Sequence, residues 1–167
     1  MKFVKLLLLP VLALGLSGCA GYRLGSTLDK SIQTVSLKIV NKTDEPSIEV
    51  AVMKALRAEL QMDGRLKVRP QDEADAVLSV TLTSYYLSPL AYDHTRGTLV
   101  REYRIELIGT AVLSDADTKE VILETPQVKG EAEFPYTADM TTAKLGALPG
   151  AASDLARKVV SATVTSW

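Results

Sequence analysis

The stretch AVLSVTLTSYYL, residues 76–87, alternates apolar and polar side chains and carries the strongest strand signal in the chain. Successive side chains of a strand point to opposite faces, so this alternation gives one apolar and one polar face. The two faces are formed by Leu78, Val80 and Leu82 and by Ser79, Thr81 and Thr83. We expect a long strand with its apolar face on the core.

A second stretch, YRIELIGTA at residues 103–111, alternates in the same way, with Arg104 and Glu106 on its polar face. The segment Ser88–Gly97 is expected to be the loop between these two strands. After a turn at residues 114–118, a third strand is predicted over Lys119–Val128. Pro126 lacks a backbone donor and therefore marks an edge strand or a bulge.

Working back towards the N-terminus, residues Ile32–Val40 alternate and predict a further strand. Ser47 is expected to cap a helix that Gly64 ends, because Ser and Gly are favoured at those two positions. One apolar stripe runs along this helix, formed by Ile48, Val52, Ala55, Leu56 and Leu60. A short strand, Leu66–Arg69, follows.

Beyond the third strand, Gly130–Thr142 is predicted to be a loop or a frayed strand extension. The C-terminal helix is the second amphipathic one, with a stripe formed by Ala152, Leu155, Ala156, Val159, Val160 and Thr163. The pair Pro149-Gly150 argues against a single unbroken helix from Leu145 onwards, because proline loses its donor and clashes with the preceding turn.

This order of elements predicts an α+β fold, a two-layer sandwich. Two helices with one apolar stripe each cannot cover both faces of a sheet. We therefore expect a mixed, mostly antiparallel sheet of about four strands with both helices on one face and the other face polar. The predicted organisation is a signal peptide at residues 1–18, a lipid-anchored tether at 19–31 and one sandwich domain at 32–167.

The signal-peptide prediction rests on LSGC, residues 16–19, which follows a charged start and an apolar run of 11 residues, Leu6–Leu16. This pattern is typical of a bacterial lipobox, and Cys19 is then the acylated first residue of the mature chain. The run is too short to span a membrane, which needs roughly 20 apolar residues. Ala20, in place of an aspartate, favours the outer membrane.

Composition excludes several function classes. Without the two leader lysines, 17 Lys and Arg face 20 Asp and Glu, a formal charge of −3, which is no nucleic-acid footprint. Cys19 is the only cysteine, so no disulfide can form within the chain. The sequence gives no catalytic, metal or cofactor motif: His94 is the only histidine and has no evident nucleophile beside it, so we predict a protein that is not an enzyme.

One group of residues suits binding. Tyrosine and arginine are enriched at interface cores, and phosphate forms charge-assisted bonds with Arg and Lys. The candidate contacts for lipopolysaccharide or a partner protein are Tyr85, Tyr86, Tyr92, Arg96, Arg101 and Lys129. The alternative is that these tyrosines only cover the rim of the core.

In its order of elements the mature chain resembles the LptE family of lipopolysaccharide-assembly lipoproteins. The resemblance is carried by Cys19 with Gly21-Tyr22-Arg23-Leu24, the strand ending at Asn41 and Thr43, the helix Glu49–Leu60, Ala74-Asp75-Ala76-Val77-Leu78, Tyr103-Arg104 and a terminal helix near Trp167. It implies a non-catalytic plug inside the outer-membrane β-barrel LptD, facing the periplasm, which supports barrel assembly and helps transfer lipopolysaccharide to the outer leaflet.

Other functions suit the same anchor and sandwich. The chain could be a different lipoprotein adaptor, such as an activator of a peptidoglycan synthase or a secretin pilot. A periplasmic carrier for a hydrophobic ligand would need an enclosed apolar pocket between helices and sheet. A hydrolase would need a Ser or Asp nucleophile within reach of His94.

Overall fold

The computed structural model describes residues 31–93, 99–136 and 139–165. In chain order, its longer elements are β1 (Thr34–Asn41), α1 (Ile48–Asp63), β2 (Lys67–Val68), β3 (Ala76–Asp93), β4 (Leu99–Asp115), β5 (Val121–Pro135) and α2 (Met140–Thr165). A single 3₁₀ turn, Gln71–Glu73, precedes β3.

The strands form one sheet in the order β2-β1-β3-β4-β5. β1 runs parallel to both of its neighbours, whereas β3, β4 and β5 are antiparallel to one another. The prediction of a mixed, mostly antiparallel sheet is therefore confirmed. The sheet has five strands rather than about four, because the two-residue β2 pairs with Thr34 and Val35.

Both helices pack against one face of this sheet and against each other. Their stripes meet the apolar faces of the strands, so that Leu56 of α1 and Leu155 of α2 are fully buried together with Leu78 and Ile105 of the sheet. The other face carries the polar side chains of β3 and β4. This arrangement confirms the predicted α+β two-layer sandwich with its helices on one side.

A β-bulge at Thr83 changes which residues of β3 face the helices. Leu82 pairs with Gly109 and Ser84 with Ile108, which leaves Thr83 as an extra residue. Before the bulge the even-numbered Leu82 is buried; beyond it the odd-numbered Tyr85 packs against the core. An extra residue shifts the two-residue alternation by one position.

The long strands extend further than the sequence predicted. Ser88–Gly97 is not a loop in its first part, because β3 continues to Asp93 and pairs with β4 as far as Leu99. The third strand likewise runs from Val121 to Pro135 rather than from Lys119 to Val128. Ladder pairing with β4 keeps both segments extended despite the prolines within them.

Pro126 lies on an edge strand and also at a bulge, as its missing donor predicted. β5 ends the sheet, and Gly109 and Ala111 of β4 pair with Val128 and Thr125, so β5 carries one extra residue there. Thr110 Oγ1 donates to the Pro126 carbonyl at 3.1 Å.

The C-terminal end of helix α1 agrees with the prediction, whereas its N-terminal cap does not. Ser47 adopts a left-handed conformation (φ 64°) and its side chain makes no capping hydrogen bond, so the predicted serine cap is wrong. A capping side chain normally requires an extended backbone at this position. Gly64 does end the helix as predicted, with φ 75° and its N–H donating to the Leu60 carbonyl at 3.0 Å.

Helix α2 continues through Pro149 without a break, which corrects the prediction of an interruption. The hydrogen bond that proline cannot make would have gone to the carbonyl of Leu145, four residues earlier. Leu145 is 64% exposed, so that carbonyl lies on the solvent side of the helix. The buried side of the helix keeps its packing from Ala151 onwards.

Candidate functional site

We call the end of the hairpin formed by β3 and β4 the hairpin tip: residues 86–93 of β3 and 99–101 of β4. Large apolar side chains are exposed here and at the neighbouring end of β5. They are Tyr86 (51% exposed), Leu90 (37%), Tyr92 (46%), Leu99 (59%) and Tyr136 (49%). A cluster of exposed apolar side chains of this kind marks an interaction site.

An aromatic cluster that the sequence did not predict supports the tip. Tyr103 stacks on Phe134, with ring centroids 6.0 Å apart at 22°, and meets Tyr136 at 6.0 Å and 53°. The Tyr136 N–H donates to the carbonyl of Arg101 at 2.7 Å, which fixes the end of β5 beside the tip. The signal was the alternation of Phe134 and Tyr136 around Pro135, in the segment predicted to be a loop or a frayed strand extension.

The three predicted tyrosines occupy different environments. Tyr86 and Tyr92 belong to the exposed tip, and Tyr86 lies opposite Glu106 on the polar face. Tyr85 instead faces the helices, where burial, with a contribution from Glu45, raises the pKa of its phenol to about 12. The Lys144 ammonium, paired with Glu45 at 2.9 Å, lies 5.6 Å from the centre of the Tyr85 ring.

Lys129 lies on the polar face within a group of charges that we call the charge ladder: Arg104, Glu106, Lys129, Glu131 and Glu133. Lys129 pairs with Glu106 and, at 3.2 Å, with Glu131. Arg104 pairs with Glu133 at 2.6 Å. Hydrogen bonds with Glu106 and then Glu131 raise the pKa of Lys129, so its ammonium remains charged at neutral pH.

The structure does not bring Lys129 to Arg101. Lys129 had been expected at the end of its strand, but it pairs with Ile108 and contacts Glu106, which lies opposite Tyr86 at the inner end of the tip. Ile108 and Arg101 are seven positions apart along β4, a distance of about 24 Å in an antiparallel strand. Arg101 is exposed at the tip. Cys19, His94 and Arg96 lie outside the described residues.

The charge ladder is therefore nearly balanced, with two cations and three carboxylates, and it offers a hydrated polar surface. The tip offers apolar and aromatic side chains with the exposed Arg101 among them. Within the described residues no group of three or more His, Cys, Asp or Glu side chains could hold a metal ion. Of the helices in that part of the chain, none is long and apolar enough to cross a bilayer.

Comparison with known proteins gives a family. The sequence model of LptE, described as lipopolysaccharide-assembly, matches residues 32–163. This match covers the whole sandwich and confirms the resemblance seen in the sequence. No curated protein sequence matches the chain significantly.

Several solved structures share the fold at low sequence identity. The PelC dodecamer from Paraburkholderia phytofirmans is 15% identical, with a TM-score of 0.52, over 86% of this chain and 94% of that one. A minor lipoprotein from Acinetobacter baumannii is 16% identical, with a TM-score of 0.52, over 80% and 91%. Protein XCC0632 from Xanthomonas campestris is 11% identical, with a TM-score of 0.53, over 80% and 84%. At these identities the likeness concerns the fold alone.

Proposed function

Because this chain belongs to the LptE family of lipopolysaccharide-assembly proteins, we propose that it is a lipid-anchored plug of the outer-membrane barrel LptD. In this role it supports folding of the barrel and assists the transfer of lipopolysaccharide to the outer leaflet. The family is not enzymatic, which agrees with the predicted absence of catalysis. The lipid attached to Cys19 holds the protein on the periplasmic side of the outer membrane.

The observation that carries this proposal is the hairpin tip. Its large apolar side chains are exposed, and exposed apolar patches of this kind mark sites of contact with other apolar surfaces. The acyl chains of lipopolysaccharide and the apolar side chains of a barrel protein are two such surfaces. Arg101, and Arg96 from the neighbouring sequence, can bind the phosphates of the lipid.

The polar face of the sheet supports the same role. The interior of a large outer-membrane barrel is polar, and the charge ladder can lie against such a wall through water-mediated contacts. Glu106 and Glu131 neutralise the charge of Lys129, so its ammonium attracts a lipid phosphate less than the Arg101 guanidinium does. We therefore place the principal contact at the tip rather than at Lys129.

Depletion of the protein in its native host tests the proposal. We expect less mature LptD-like barrel and less surface lipopolysaccharide, and both should recover with the wild-type chain. A Cys19→Ser variant should recover them only in part, because it has lost its anchor. Unchanged barrel and lipopolysaccharide levels after depletion would remove the proposed function.

Co-purification separates the alternatives. The LptD plug must purify with a barrel as its main partner, whereas an adaptor would purify with a peptidoglycan synthase or a secretin. A hydrophobic-ligand carrier would release lipid on extraction. Against a carrier, Leu56, Leu78 and Leu155 fill the space between helices and sheet with no exposed surface.

A further inference from the structure

The two edges of the sheet are protected differently. At the β5 edge, side chains of α2 bind the outward-pointing backbone groups: Asp154 accepts the Glu131 N–H at 3.1 Å, and Lys158 donates to the Lys129 carbonyl at 2.8 Å. Covering an edge in this way prevents another strand from pairing with it. Among the described residues, none covers the opposite edge in this way along most of its length.

At that opposite edge, β2 protects only the start of β1. The carbonyls of Gln33 and Val35 accept from the N–H groups of Lys67 and Arg69, each at 3.0 Å. Backbone groups of alternate residues point to the same side of a strand, so those of Leu37 and Ile39 point to the same edge. No described residue forms a hydrogen bond with them on that side.

An apolar groove lies beside these free backbone groups, between the edge of β1 and α1. It has a volume of about 480 Å³ and is lined by Ile39, Glu49, Val50, Met53, Lys54 and Arg57. Val50 is 66% exposed, although it is a large apolar residue on a helix. Strand addition requires backbone groups without a hydrogen-bond partner at a sheet edge and a groove that accepts side chains. Both features are found together here.

The charges beside the edge select the kind of strand. Lys54 and Arg57 of α1 line the groove, whereas Lys38 of β1 lies between Leu37 and Ile39 and so points to the polar face of the sheet. All three are exposed, and none of them forms an ion pair within the described part of the chain. The one carboxylate in the groove, Glu49, accepts a hydrogen bond from Asn41 Nδ2 at 3.0 Å. Three cations against one carboxylate make the net charge beside the edge positive.

We propose that β1 accepts an extended, acidic segment of a partner polypeptide as an added strand at Leu37 and Ile39. The main chain of that segment pairs with the free edge and its apolar side chains enter the groove. Its carboxylates alternate with the apolar side chains and therefore meet Lys38 on the polar face. The strands of a barrel wall are already paired on both sides. The added strand therefore comes from a periplasmic extension or loop, and its binding does not depend on the plug role.

Amide hydrogen exchange followed by NMR tests this proposal, using the full-length protein in detergent and the peptide Glu-Val-Glu-Val-Glu-Val-Glu at millimolar concentration. We expect the amides of Leu37 and Ile39 to become protected, whereas those of Lys38 and Val40, already paired with β3, change little. The same peptide methylated at every backbone nitrogen should give no protection. A peptide with lysine in place of glutamate should bind far more weakly.

Lys38→Glu should weaken binding of the acidic peptide about fivefold to tenfold, the size expected when an exposed attraction becomes a repulsion. Lys42→Glu, an equal charge change at an exposed lysine beyond the free positions of the edge, is the matched control and should bind as the wild type does. The proposal is overturned if Leu37 and Ile39 gain no protection, or if the methylated or lysine peptide protects them equally. Protection of the Leu37 and Ile39 amides without any peptide would also overturn it. If dilution removes that protection, the occupant is a second copy of the chain; if dilution does not, the occupant is the chain's own N-terminal segment.

Discussion

Gly130 is a residue at which the sheet approaches α2 closely. A Cβ atom at this position would lie 2.5 Å from Leu155 Cβ and 2.6 Å from the Leu155 nitrogen, and it would also contact the Ala151 carbonyl. All three obstacles belong to the buried side of the helix, two of them to its backbone. The absence of a side chain at residue 130 therefore sets the distance between the two layers.

Replacing Gly130 with Ala should lower the free energy of unfolding by about 1–3 kcal/mol, because the added methyl group overpacks a rigid contact. The matched control is Gly146→Ala in α2, where an added Cβ meets nothing within 4 Å. That change should raise stability by about 0.5–1 kcal/mol through the lower backbone entropy of the unfolded chain. Denaturant midpoints measure both effects, and equal effects of the two substitutions would contradict the close approach at residue 130.

Asp75 joins β1 to the start of β3 through several hydrogen bonds to one carboxylate. Its Oδ2 accepts from Thr34 Oγ1 at 2.7 Å, from the Thr34 N–H at 2.8 Å and from the Gln33 N–H at 3.0 Å. These bonds, above all that from the Thr34 hydroxyl, lower the pKa of Asp75 below its ordinary 3.8.

This lowered pKa predicts a pH-dependent contribution to stability. Above the ordinary pKa of 3.8 the Asp75 carboxylate is charged in both the folded and the unfolded state, and its hydrogen bonds stabilise the fold. As the pH falls through the lowered folded-state pKa, that stabilisation is lost. The difference in denaturant midpoint between the wild type and Asp75→Asn should therefore shrink as the pH falls from about 5 to about 3. Asp72→Asn, with the same charge change but no hydrogen bond to lose, is the control. A difference that stays constant with pH would exclude this contribution.

At the scale of elements, α2 tolerates a proline because its missing hydrogen bond lies on the solvent side of the helix. Pro149→Ala restores the donor to the Leu145 carbonyl and should stabilise the protein by about 1–3 kcal/mol, since proline is about 3 kcal/mol less favourable than alanine inside a helix. Thermal or chemical unfolding gives the value. A loss of stability would indicate that the fixed backbone angle of proline matters more than the recovered bond.

The protected edge of β5 is a second property of elements. Asp154→Ala removes the acceptor for the Glu131 N–H and leaves Lys158 without its carboxylate. We expect a loss of about 1–3 kcal/mol, the penalty for an unsatisfied polar group that is partly buried, together with more aggregation in light scattering. The control, Arg157→Ala, removes an exposed partner of the same carboxylate and should change stability by less than about 0.5 kcal/mol.

The alternation of apolar and polar residues in the sequence was sufficient to predict which strand side chains face the helices, as Leu78, Val80 and Ile105 illustrate. It could not predict the bulge at Thr83, because one extra residue has no compositional signature and appears only in the pairing with Ile108 and Gly109. The same limit applies to the site. The cross-strand register that places Lys129 beside Glu106 and Glu131, far from Arg101, depends on partners distant in sequence.

At the scale of the whole molecule, the protein has apolar surface at one end of its long hairpin and balanced charge across its polar face. Leu99→Asp at the tip should reduce maturation of the barrel partner and surface lipopolysaccharide, because it puts a charge into the proposed apolar contact. The melting temperature should stay within about 2 °C of the wild type, as for other exposed substitutions.

The control for this prediction is Val121→Asp, at the far end of β5. Val121 is 56% exposed and Leu99 is 59% exposed, so the two substitutions add the same charge to strand residues of similar exposure. Only the tip substitution should affect the barrel and the lipid. Equal effects from both positions would show that the contact is not confined to the tip.

The bulge at Thr83 gives the outer part of the long hairpin its own alignment of side chains. The hydrophobic layer continues past the bulge, where Tyr85 and Leu87 pack against the core opposite the buried Leu107 and Ile105. Adding or removing matched pairs of residues beyond Pro89 would therefore change the reach of the protein while the layer beneath stays intact. Graded-length variants of this kind would serve as a molecular ruler for the depth of whatever cavity the hairpin enters.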